Sequence, residues 1–145
     1  MNLETTAAKV RTVGLGALGF MVIQAISSLL FRRVLLGELY ANSSFYEVTE
    51  PTLGLFIQSL SFYFLTGAIL TVLFMHMYLS GGGKANATRY AILTGIMYWL
   101  IHDYSYIGRK MIGNELQYLG LEAILVVIIF ALFSLVLGRL FRSKA

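Results

Sequence analysis

Residues 12–31 read TVGLGALGFMVIQAISSLLF, twenty residues without a charge, closed by Arg32 and Arg33. About 30 Å of hydrocarbon is crossed at 1.5 Å per residue, so roughly 20 apolar residues make one membrane-spanning helix. This stretch has that length. Three further stretches follow it. Residues 51–83 form an uncharged run of 33, longer than one span needs. A second helix is placed at 53–79, with Pro51 in the first turn, where its missing N–H costs nothing. Ser80-Gly81-Gly82-Gly83 breaks that helix. The third span, 90–108, is interrupted by His102 and Asp103, and the fourth, 116–138, carries one charge, Glu122. The fold class expected is all-α, a single-domain four-helix membrane bundle over 1–145.

Composition agrees. Of 145 residues, 58% are apolar and 12% charged, with a mean hydropathy of +0.77. Soluble domains carry about a quarter charged residues. A soluble fold, a disordered chain and a nucleic-acid-binding domain are thereby excluded. The absence of cysteine removes disulfides, thiolate catalysis, iron–sulfur ligation and cysteine zinc sites. A cleaved signal peptide fits residues 12–31 poorly: the apolar core is too long and no small-x-small cleavage site follows.

Lysine and arginine set the orientation. With the N-terminus inside, Lys9, Arg11, Lys84, Arg89, Arg139, Arg142 and Lys144 are cytoplasmic. Arg32, Arg33, Arg109 and Lys110 lie outside, offset by Glu38, Glu47, Glu50 and Glu115. Both termini are expected in the cytoplasm, and the net charge of +4 is a topology signal. The sequons at Asn42 and Asn86 fall on opposite faces, so at most one could be modified. No internal repeat is visible, which gives no indication of an inverted-repeat transporter. Residues 32–50 carry Leu35, Leu36, Leu39, Tyr40, Phe45 and Tyr46 and suit a partial amphipathic helix at the outer interface.

Converting position to depth suggests a polar layer in the outer half. Gln24 stands about 18 Å up the first span, Asp103 about 20 Å up the third with His102 just below it, and Glu122 about 9 Å beneath the outer boundary. Gln58 falls near the same level, and Tyr98 shares a helix face with His102. The candidate cluster is therefore Gln24, Gln58, Tyr98, His102, Asp103 and Glu122. Ionisable groups in hydrocarbon face the bundle interior or water. Such a cluster either fixes helix register through interhelical hydrogen bonds or forms a proton, ion or ligand site.

Other motifs fall away. His76 and His102 differ in level by roughly 8–13 Å, too far for two axial ligands of one haem; His76 is instead expected near the headgroups. His102, Asp103 and Glu122 lack a diagnostic metal-binding spacing. The Gly81–Lys84 loop lacks the full phosphate-loop pattern. Gly14, Gly16 and Gly19 do not form GxxxG and are read as intramolecular packing. Ser27, Ser28, Ser59 and Ser61 lack a turn that would expose a nucleophile. No catalytic residue, metal or cofactor is assigned.

The strings RRVLLGELY, GIMYWLIHDYSYIG and GLEAILVVIIFALFSLVLGRLF resemble small four-helix bacterial inner-membrane proteins grouped as domains of unknown function. The matching positions are Leu35, Leu36, Leu39 and Tyr40, then Gly95 and Tyr98, then Gly120 and Glu122. The resemblance implies a fold and no activity. Signatures of glutathione-handling four-helix enzymes are absent, and Gln24 stands where a small multidrug transporter would need glutamate.

The expected role is non-catalytic: an accessory or assembly subunit of a larger complex in the inner or plasma membrane, partnered by lipid and by other membrane polypeptides or its own copies. The alternatives are a small transporter or channel using Asp103 and Glu122, and an intramembrane enzyme on a lipid or quinone with His102 and Asp103 as acid and base.

Overall fold

A computed structural model describes residues 5–35, 52–81, 85–101 and 115–142. The described residues are all-helical. They form α1 (Thr6–Ser28), continued by a π-helical segment at Leu29–Leu35, then α2 (Leu53–Ser80), α3 (Ala87–Trp99) and α4 (Glu115–Leu140).

Helix starts follow side-chain capping, in which a short polar group satisfies an orphan N–H of the first turn. Thr5 accepts from Ala8 N at 3.2 Å, Thr52 from Leu55 N at 3.3 Å and Asn86 from Arg89 N at 3.0 Å. The first helix thus begins at Thr6 rather than at 12. Lys9 and Arg11 end the apolar run, but they are good helix formers and do not end the helix. The cap Thr52 starts α2 at Leu53, so the start falls two residues after Pro51, which itself lies outside the described residues.

Three helices are long and apolar enough to cross a membrane: Thr6–Phe31, Leu53–Ser80 and Leu119–Leu140. The described part of α3 is 13 residues, about 20 Å; the rest of the expected third span, 102–108, lies outside the described residues.

Contacts fix an antiparallel arrangement. Gly16 of α1 lies against Thr71 of α2, while Phe20 and Ala17 lie against Gly67. Gly19 meets Val136 of α4, and the Phe20 ring meets Phe133 edge-on at 5.0 Å and Phe130 at 5.8 Å. Gly95 and Tyr98 of α3 pack on Phe130. Near the other end of α4, Phe141 meets Phe74 of α2 at 4.9 Å, and Phe74 meets Tyr90 of α3 at 5.1 Å. The Tyr90 hydroxyl donates to Leu70 O at 2.7 Å. In bilayers such a bond contributes about 0.6 kcal/mol on average.

Helix association in lipid gains nothing from removing apolar surface from water, because the tails are as apolar as leucine. In lipid, close approach at small residues, dispersion and ring edges hold helices together instead. Of the glycines noted in the sequence, Gly16 and Gly19 serve this purpose, whereas a Cβ added at Gly14 would meet no neighbouring helix within 4 Å.

Among the described residues the outer faces of the helices are largely apolar, with Leu18, Ile26, Phe56, Phe62, Leu65, Ile92, Ile96, Val127 and Leu135 exposed. Soluble monomers rarely expose so continuous an apolar surface. Hydroxyls on these helices bond inward to their own backbone: Ser59 to Leu55 O and Ser61 to Ile57 O at 2.9 Å, Thr94 to Tyr90 O at 2.8 Å. Such back-bonding lets a polar side chain sit in hydrocarbon without an unmet donor.

Candidate functional site

The sequence placed six polar residues in one layer. Two of the four described ones, Gln24 and Glu122, are buried in the interior, at 6% and 1% exposure. Tyr98 is half-buried on Phe130, at a centroid distance of 5.8 Å. Gln58 does not join them. It is exposed, because every residue from Thr52 to Ser59 at the start of α2 is exposed. Depth along an axis says nothing about which way a side chain points, and that is where the expectation fails for Gln58. His102 and Asp103 lie outside the described residues.

The register of α1 on α4 also corrects the level assigned to Gln24. Phe20 touches Phe130 and Phe133. Gln24 therefore stands about 6 Å beyond that contact along α1, and Glu122 about 12 Å beyond Phe130 along α4. The two are at adjoining levels, a turn or more apart. Ser28, about 12 Å beyond Phe20, comes closer than Gln24 to the level of Glu122. Its Oγ is buried and has no hydrogen-bond partner among the described residues. Phe20, Gln24 and Ser28 recur at i, i+4 and i+8, so they follow one face of the helix. That spacing is the signal in the sequence that sets Ser28 on the same face as Phe20 and Gln24.

Both neighbouring helices change form at this height. The α1 helix widens into π turns at Leu29, the residue after Ser28. Leu100 and Ile101 continue α3 in the same wider form. π turns inside helices are frequent at functional sites, since the wider winding breaks the regular i→i−4 ladder. A carboxyl and an amide are thus buried inside the bundle, with the buried hydroxyl oxygen of Ser28 further along α1. Among the described residues no three His, Cys, Asp or Glu side chains group to hold a metal. His76 lies exposed in the last turns of α2, apart from this level.

The fold and these positions define a class: a helical bundle with three helices long and apolar enough to cross a membrane and a carboxylate in its interior. No family model, curated protein or solved structure matches the chain.

Proposed function

We propose that the chain is a four-span protein of an inner or plasma membrane with both termini cytoplasmic, working without catalysis as an accessory or assembly subunit of a larger membrane complex. The observation that carries this reading is where the bundle is closed and where it is open to contact. Phe20, Phe74, Phe130, Phe133 and Phe141 interlock in its interior, all at 6% exposure or less. Apolar side chains on every helix face outward, available to lipid or to partner helices. Lys9, Arg11, Arg89, Arg139 and Arg142 sit at the end shared by the start of α1, the start of α3 and the end of α4. That grouping supports a cytoplasmic assignment for this end.

Gentle extraction followed by native mass spectrometry tests the role. The expected particle is far heavier than 16.2 kDa and contains other polypeptides. A particle of one chain, or of identical copies only, would overturn the subunit reading.

The burial of Glu122 at 1% exposure favours a second reading, a proton- or cation-conducting transporter. It predicts that Glu122→Gln abolishes flux in proteoliposomes while the protein stays folded; unchanged flux, or none in the parent protein, would remove it.

A further inference from the structure

A groove of about 450 Å³ runs between α3 and α4 on the outside of the bundle. Its walls are small or apolar side chains, among them Ala91, Gly95, Ala123, Val127 and Ala131. At one end it reaches Trp99 and Ala123, and at the other Thr88 and Ser134. There it meets a second hollow, of about 500 Å³, which shares Thr88 and Ser134 and is bordered by Arg139 and Arg142. The two form one channel along the surface, apolar for most of its length and basic at its mouth.

We propose that this channel binds one phospholipid with an anionic headgroup, an acyl chain lying in the α3–α4 groove and the phosphate on Arg139 and Arg142. The reading rests on the chain spanning a membrane with its basic end at the headgroups.

Length supports the occupant. From Thr88 to Trp99 is eleven residues, about 16 Å of helix, which is about half the 30 Å hydrocarbon core. The apolar groove is therefore about as long as one leaflet is deep, and its arginine mouth lies five to eight residues, about 8–12 Å, beyond its Ser134 end.

Charge supports it as well. Glu122 is the only acid whose side chain is among the described residues, and it stands seventeen residues up α4 from Arg139, about 25 Å away. Both arginines are exposed, and their planar forks match phosphate oxygens bidentately. Ser134 donates its proton to Ala131 O at 2.7 Å, so its hydroxyl offers the groove no outward donor. Shape would hold any acyl chain, and the arginines select an anionic lipid, as basic pockets between membrane helices do.

The test uses the full chain in vesicles of phosphatidylcholine containing phosphatidylglycerol, followed by native mass spectrometry of the extracted protein. Phosphatidylglycerol is expected to be retained at one per chain, at least fivefold over its share of the vesicle lipid. The double variant R139Q/R142Q should abolish the preference, and Ala131→Phe, which fills the groove, should reduce retention of either lipid. Arg11→Gln, an exposed basic residue at the same end on α1, should change neither.

Retention without preference would overturn the proposal, as would a preference that survives R139Q/R142Q or is lost equally in Arg11→Gln. Ala131→Phe splitting a dimer while leaving lipid unchanged would assign the groove to a second copy. A chain that does not float with the vesicles would overturn the membrane reading itself. One that floats without selecting phosphatidylglycerol overturns only the lipid site.

Discussion

Gly67→Val is expected to destabilise the protein by about 3 kcal/mol, the upper end of overpacking costs, and to separate α1 from α2. A Cβ at Gly67 would stand 2.7 Å from Phe20 Cβ and 3.0 Å from both the Cα and the carbonyl oxygen of Ala17. The last two are backbone atoms, so no rotamer change relieves the clash. The helices would have to move apart, which removes the dispersion contacts between them.

Gly16→Ala meets a different neighbour, the side chain of Thr71. Thr71 is held in place, since it is fully buried and its hydroxyl donates to Gly67 O at 2.7 Å. Trimming it should nevertheless make room. Gly16→Ala should therefore be partly rescued by Thr71→Ala, whereas Gly67→Val should not be. Unfolding in mixed micelles titrated with dodecyl sulfate measures both. Equal rescue of the two glycine variants by Thr71→Ala would show that side chain, not backbone, sets the crossing distance.

Phe133→Ala carries the second large effect, a loss of about 2 kcal/mol. Phe133 is wholly buried and takes the edge-on contact of Phe20 at 5.0 Å. In a soluble core the same change costs about 3–5 kcal/mol, part of it the transfer of the ring from water. Between membrane helices that part is absent, because the separated helix leaves its ring in lipid. What remains is the cavity and the lost ring edge. Phe62→Ala is the control. Phe62 is 49% exposed and contacts the ring of its chain neighbour Tyr63, so its loss should stay within about 0.5 kcal/mol. Equal costs at the two positions would refute the view that Phe133 locks α1 to α4.

The existence and approximate limits of the apolar helices were legible because hydrocarbon thickness fixes their length. Their ends were less so: the cap Thr5 starts α1 among charged residues, where hydropathy is silent. Which side of each helix faces inward was hardest to read. A soluble helix declares its buried stripe by contrast with a polar face, and here both faces are apolar. Small residues supply a partial substitute, since Gly16, Gly67 and Gly95 each mark a close approach. The signal is incomplete, because Gly14, Gly120 and Gly138 mark none. The polar layer suffered from the same ambiguity. Glu122 and Gln24 point inward and Gln58 outward, a distinction of helix rotation that depth alone does not contain.

The crossing of α1 and α2 bears on the order in which the chain is assembled. Gly16, Ala17, Phe20, Gly67 and Thr71 meet directly at that crossing. All of them lie in the first half of the sequence, so the hairpin they form can close while the ribosome is still making the remainder. Phe130 and Phe133 then arrive with the last helix and dock on Phe20, already held in place from the other side by Gly67. Synthesis from the N-terminus thus delivers the tightest contact first and the ring contacts onto a finished surface.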